Sequence, residues 1–218
     1  MVVLVCFVLG LIAGQFANRF VIQRITGGAG VRGPLLEVGA GLAFGAVAVR
    51  VGWDWALPGF LLFAWTLLVV AVVDAKTRRI PNRLTYPLTP VLLVLLATAA
   101  LLHGQPVWAY RALLGGAGAF GTLLAVALAS PRGMGMGDVK LAAFIGVGLG
   151  YLGWDVLAVG VLAGFLLGGL VAMALLVVRL RGRGDMMPFG PCLAAGAFLA
   201  LLVGSRLIDV YLQAAGLG

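Results

Sequence analysis

The 218-residue chain has only seven acidic residues. One of them, Asp138, lies in the glycine-rich stretch GMGMGDVKL (Gly133 to Leu141), with apolar sequence on both sides. A second, Asp74, ends the apolar run FLLFAWTLLVVAVVD. A carboxylate beside apolar sequence is costly to keep charged, so it needs a structural partner or a chemical task. Two carboxylates brought face to face cannot both ionise cheaply, and such a pair holds one proton between its members. The ionised member would take a proton from water, and the protonated member would supply one to a substrate carbonyl or leaving amine. That is peptide hydrolysis without a metal or a covalent intermediate. The structural alternative pairs each aspartate with a nearby cation, for which Lys76, Arg78 and Lys140 are candidates. Gly133, Gly135 and Gly137 disfavour a regular helix and permit close approach of another backbone, such as a locally unwound substrate. A phosphate-cradling loop does not fit, because GMGMGD lacks the GxGxxG spacing and no strand precedes it.

The elements that must position these groups are set by composition. Hydrophobic residues make up 63% of the chain and charged ones 10%, with a mean hydropathy of +1.15. Apolar runs of about 17 to 22 residues recur along its length, enough for helices to cross a bilayer core. The pattern predicts an all-α polytopic membrane protein with eight helices, at about 2–18, 35–50, 57–73, 85–102, 112–130, 139–153, 156–178 and 189–206. Breaks fall at Gly27-Gly28, Trp53-Asp54-Trp55, Pro81-Asn82, Gly104-Gln105-Pro106 and Pro131-Arg132-Gly133. With no repeat and no long linker, a single membrane-embedded domain is expected over 1–218. Most of the 34 glycines lie within the spans, where small residues allow close helix contact.

The net charge of +8 is explained by its distribution. Alternate loops hold Arg19, Arg24, Arg32, Lys76, Arg78, Arg79, Arg83, Arg132, Lys140, Arg179, Arg181 and Arg183 on one side, against Arg50, Arg111 and Arg206 on the other. This positive-inside bias predicts an outside N-terminus and basic loops in the cytoplasm. Orientation accounts for the charge, so nucleic acid is not an expected partner. Asp74 and Asp138 then meet the same cytoplasmic face from different helices. The opening MVVLVCFVLGLIAG lacks the basic residues that precede the apolar core of a secretory signal, and reads as a first span.

The other acidic residues have ordinary roles. Asp54 and Asp155 fall in outside loops beside tryptophans, Asp209 lies in the outside tail, and Asp185 follows the basic RLRGRG loop. Glu37 enters the second span and its role is open. Cys6 and Cys192 stand alone in apolar sequence and His103 is the single histidine, so no zinc set of about four such ligands can be assembled. Neither a metal nor a cofactor is expected.

These segments resemble the type IV prepilin peptidases, intramembrane aspartic proteases of the GxGD kind. GMGDVKL (Gly135 to Leu141) is similar to the family's GxGDxKL signature, and VVDAKTRRIPNRLT (Val72 to Thr85) to its first aspartate segment. MPFGPCLAAG (Met187 to Gly196) resembles the opening of its last helix. GLIAGQFANRFVIQR (Gly10 to Arg24) resembles its amino-terminal segment, with Gln15 where serine is more usual. The resemblance implies removal of the short basic leader from prepilins or pseudopilins at the cytoplasmic face of the bacterial inner membrane, the bond cut usually following a glycine. Asp74 and Asp138 match the catalytic pair. Gly135, Gly137 and Lys140 match the second signature, and Pro188, Phe189, Gly190 and Pro191 the helix opening; substrate positioning is the expected role of these seven. Larger members carry an extra cytoplasmic domain with paired CxxC motifs between their first two spans, and also methylate the new pilin N-terminus. Here that loop runs only from about Arg19 to Pro34 without a cysteine, so methyltransferase activity is not expected. The rival reading is a small ion-coupled transporter using the aspartates as cation or proton sites, which would favour acidic groups near mid-membrane.

Overall fold

A computed structural model describes residues 1–28, 31, 34–129, 134–177 and 188–214. Among the described residues the chain is helical throughout, with no strand. Eight helices follow one another: α1 (Val2–Ile25), α2 (Leu35–Val51), α3 (Leu57–Thr77), α4 (Asn82–Leu102), α5 (Pro106–Ala129), α6 (Met136–Leu152), α7 (Trp154–Val177) and α8 (Gly190–Ala214). Six of them are long and apolar enough to cross a membrane. The other two, α2 and α6, have 17 residues each. This is the polytopic all-α architecture that the apolar runs predict.

Several helices run beyond their apolar stretches. Helix α1 continues past residue 18 through a π-helical stretch, Ala17–Ile22, to Ile25. Helix α5 begins at Pro106 rather than near 112, and α8 continues to Ala214. Polar residues at a membrane edge can still extend a helix that the apolar core has nucleated, so hydropathy alone underestimates helix length. Pro87 and Pro90 lie inside α4 without ending it, as neighbouring helices allow in membrane proteins. Arg32, Arg132, Gly133, Arg179, Arg181, Arg183, Asp185 and Met187, all used in the sequence reading, lie outside the described residues.

Three helix pairs pack most closely, α1 with α2, α5 with α6 and α7 with α8, and glycine makes each contact possible. A Cβ at Gly14 would stand 2.7 Å from Glu37 Cα, one at Gly115 2.6 Å from Gly146 O, and one at Gly164 2.9 Å from Leu193 Cα. Backbones can approach this closely only where the side chain is absent.

Helices α3 and α6 occupy the interior. Phe60, Phe63, Val69, Val70 and Val73 of α3 are buried, as are Leu141, Phe144, Ile145 and Leu149 of α6. The Phe63 and Phe144 rings stack with centroids 5.4 Å apart and planes 15° apart. Gly148 leaves the room that the Phe63 ring occupies. The far end of this pair is held by polar contacts. His103 Nε2 is 3.1 Å from Asp54 Oδ2, and Arg111 Nη2 donates to Tyr151 O at 2.7 Å. Trp65 Nε1 donates to Ala13 O at 3.1 Å, beside the π-helical stretch of α1.

Asp74, Asn82 and Asp138 thus lie at one end of the bundle, and Asp54, His103 and Tyr151 at the other. The basic loops set the expected orientation. Single cysteines at positions 78 and 155, in a variant lacking Cys6 and Cys192, should be protected from and open to a membrane-impermeant reagent in intact cells, respectively. Labelling at position 78 from outside would reverse the orientation.

Candidate active site

Asp74 lies in the last turn of α3 and is 4% exposed. A helix C-terminus is the unfavourable end for a carboxylate, because unpaired carbonyls give it negative character. The group is instead held by another helix: the Gly190 N–H donates to Asp74 Oδ2 at 3.0 Å. Gly190 is the first residue of α8, where backbone N–H groups have no partner within the helix. The carboxylate therefore sits at the positive end of α8.

The segment leading into α8 explains how Gly190 reaches this position. The Phe189 ring lies 5.1 Å from that of Phe165 on α7, against Gly168, where any side chain would collide with it. Pro191 in the first turn has its φ fixed at a helical value and lacks an N–H that would need a partner there. A Cβ at position 190 would stand 2.8 Å from Asp74 Oδ2.

Asp138 is the third residue of α6, and its first turn is capped by its own side chain. The Gly135 N–H donates to Asp138 Oδ2 at 3.3 Å, and the Asp138 N–H donates to Gly135 O at 3.0 Å. This reciprocal arrangement is one half of a capping box, and it too sets a carboxylate at a helix N-terminus. Asp138 precedes the apolar stretch that starts at Val139. Burial, and next the charge of Asp74, push its carboxyl up to about 6, against the pull of the Gly135 amide. The two aspartates are close enough for one to act on the other.

Neither carboxylate pairs with Lys or Arg among the described residues. Lys140 donates instead to Asn82 Oδ1 at 3.0 Å. The structure thus brings together Asp74, Asp138, Gly135 and Gly190, directs Phe189 onto α7, and turns Lys140 toward α4. Gly137 packs under the α3–α4 turn: a Cβ there would stand 3.0 Å from Ile80 Cβ. Glu37 is not among the groups acting on Asp138, and its Oε2 has no hydrogen-bond partner among the described residues.

Sequence reasoning gives Ile80 and Asn82 no site role, although both lie within the first aspartate segment, Val72 to Thr85. Asn18 is a third such residue. It is buried in α1 and exchanges two hydrogen bonds with the Val31 backbone, N–H to Oδ1 at 2.9 Å and Nδ2 to O at 3.1 Å. An asparagine inside an otherwise apolar stretch was the available signal.

The glycines can be told apart by what surrounds them. A Cβ at Gly135 would meet nothing nearer than Asp138 Oδ2 at 3.5 Å, an ordinary contact. Gly135→Ala should therefore leave the thermal stability in detergent nearly unchanged. Gly190→Ala and Gly137→Ala should each lower it, by roughly 1–3 kcal/mol for overpacking. Equal stability of all three variants would contradict this geometry.

A profile of the type IV leader peptidase family matches residues 61–173, more than half of the chain and including both aspartates. The prepilin leader peptidase/N-methyltransferase of Pseudomonas aeruginosa is 33% identical over 192 residues, covering 86% of this chain and 63% of that protein. The protein of the same name from Bacillus subtilis is 34% identical over 182 residues, covering 84% and 70%. That from Neisseria gonorrhoeae is 30% identical over 174 residues, covering 78% and 57%. The chain thus spans 57–70% of the length of these relatives. No solved structure matches it. The profile match across both aspartate segments, with the identity to relatives over most of its length, shows that this chain belongs to the type IV leader peptidase family.

Proposed function

We propose that this protein is an aspartic endopeptidase that removes the short basic leader from type IV prepilins or pseudopilins at the cytoplasmic face of the bacterial inner membrane. The observation that carries the reading is the meeting of Asp74 and Asp138 at one end of the bundle, close enough for one charge to act on the other. Neither is neutralised by a cation among the described residues. Such a pair shares a proton. The ionised member takes a proton from the attacking water, and the other protonates the carbonyl oxygen and then the leaving amine. No cofactor enters the scheme.

The substrate backbone is proposed to lie along the two glycine segments, Gly135 and Gly137 before α6 and Pro188 to Pro191 before α8. Lys140, turned toward α4, is proposed to support this positioning set through the placement of α6. A carboxylate at the N-terminus of α6 and another at that of α8 leave the space between these helix openings as the place for a scissile peptide. Both acids lie at helix ends, which favours this reading over an ion pathway with acidic groups at mid-membrane. The proposed domain is the whole of 1–218, embedded in the lipid bilayer with an outside N-terminus and eight crossings. Nucleic acid is not a proposed partner.

Asp74→Asn and Asp138→Asn should each abolish cleavage of a purified prepilin in detergent, a loss of at least on the order of 10²–10⁴-fold, since Asn can neither ionise nor shuttle a proton. Asp209→Asn, at an exposed site in α8, should cleave normally. The melting temperature supplies a second readout. The Asp138 carboxyl is raised from 3.8 to about 6 in the folded protein, so folding stability should be highest below the unfolded value and fall as pH rises through about 6. Asp138→Asn should flatten that decline. Near-normal cleavage by either folded active-site variant would overturn the assignment.

Only nine residues, 26–34, join α1 to α2, and none of them is a cysteine. We therefore propose that the chain does not methylate its product. Mass spectrometry of mature pilin, processed with this protein as the sole peptidase, should find a free amino terminus. A product heavier by one methylene group would refute the proposal.

A further inference from the structure

Lys140 follows Asp138 by two residues, yet its side chain goes to neither aspartate. Its Nζ donates to Asn82 Oδ1 at 3.0 Å and stands 4.7 Å from the centroid of the Tyr86 ring. Asn82 and Tyr86 are four residues apart in the first turns of α4 and share one helix face. An amide oxygen and an aromatic face together hold an ammonium from a fixed direction. Residues two apart on a helix lie on different faces. Helix α6 therefore presents Asp138 on one side and is tied to α4 from another.

The tie completes a short circuit of contacts. Asp74 ends α3; the turn after it carries Ile80, which packs on Gly137. Asn82 then opens α4 and accepts from Lys140, less than one helical turn beyond Asp138. Gly137 and Lys140 lie within two residues of Asp138, and Ile80 and Asn82 lie in the turn and helix start that follow Asp74. Sliding or rotating the start of α6 against the end of α3 has to break this circuit. The Phe63–Phe144 stack holds the same two helices further inside.

We propose that Lys140, Asn82 and Tyr86 form a tether that sets the separation of Asp74 and Asp138, so that Lys140 and Asn82 are positioning residues for the reaction. The proposal rests on reading the two aspartates as an acid–base pair. Among the described residues this end of the bundle carries Arg19 and Arg24 of α1, Glu37 of α2, Asp74 and Lys76 of α3, Arg78 and Arg79 of the turn, Arg83 of α4 and Cys192 of α8. Of these, Asp74 is the charge that acts on Asp138. Helices α5 and α7 bring no charged residue to this end. Asp138 responds to burial, to Asp74 and to the Gly135 amide. Lys140 turns to Asn82 and Tyr86 of α4, so its action on Asp138 runs through the placement of α6.

The test measures kcat and KM for a purified prepilin across pH, in the wild type and in Lys140→Met, Asn82→Leu, Asn82→Asp and the Lys140→Met/Asn82→Leu double variant. Asn82 is exposed, so its variants should fold even if Lys140→Met does not. Loss of the tether should lower kcat by on the order of 10²-fold with KM little changed, as misplacement of reacting groups does. It should also narrow the bell-shaped pH profile of kcat, because carboxylates held further apart couple more weakly and their two apparent pKa values converge. A merely structural role would lower the yield of folded enzyme and leave the two limbs in place. Asn82→Asp keeps an acceptor for the ammonium and should retain most of kcat. The double variant should be no worse than the poorer single one, since both remove one contact. Wild-type kcat and limb spacing in Asn82→Leu would overturn the tether, as would a raised KM with unchanged kcat or additive losses in the double variant. Failure of the underlying reading is seen separately, in normal cleavage by Asp74→Asn or Asp138→Asn.

Discussion

A carboxylate next to hydrocarbon must find hydrogen-bond donors, and here both aspartates find them at helix N-termini. Asp74 accepts from the first amide of α8 and Asp138 from the amide that caps α6. An ionised residue at the centre of a membrane helix costs about 2.5–3.5 kcal/mol on insertion scales, an upper bound for an acid at a helix end. A hydrogen bond to a charged group contributes about 1.5–3 kcal/mol, and a partly buried helix terminus up to ~2 kcal/mol. These overlapping contributions offset only part of the cost, and the Asp138 carboxyl stays above its ordinary range. Among the described residues neither acid pairs with a lysine or arginine, and that matters chemically: such a pairing would hold the acid ionised and prevent the sharing of a proton.

The rest of the bundle serves this arrangement. For Gly190 to reach Asp74, α8 must begin at a defined depth, and Phe189 sets that depth by packing on Phe165 and Gly168. For Asp138 to reach Asp74, α6 must lie in the interior against α3. Its glycines allow this, letting α5 approach at Gly146 and the Phe63 ring at Gly148. The opposite end is fixed by Asp54 with His103 and by Arg111 on the Tyr151 carbonyl. Each aspartate also has a structural role. Asp138 caps α6 while belonging to the proposed acid–base pair, so substitutions there act on stability and on chemistry at once.

The glycines of the two motif segments have different physical roles. Gly137 and Gly190 are close-approach positions, one under Ile80 and the other against Asp74. Gly135 has room for a side chain and contributes its amide. Spacing in the sequence marks all three equally, because it carries no information about what packs against each.

Much of the architecture was legible in the residues. Apolar runs of helical length, broken by glycine, proline and charge, place eight helices, since hydropathy is a local property that a bilayer reads directly. Alternation of the loops brings Asp74 and Asp138 to one end, and the glycines beside Asp138 mark a break in the helix there. Other features depended on the tertiary structure. The donor to Asp74 lies 116 residues away, the acceptor for Lys140 58 residues away, and the donor to Ala13 O 52 residues away. Which side chain meets which backbone across such distances depends on the rotation, tilt and depth of each helix. Those are set by close packing between helices, as at Gly115 and Gly146, and hydropathy is blind to them. The sequence by itself determined that two acids would meet at a membrane edge; only the packed structure decided that helix N-termini would hold them there.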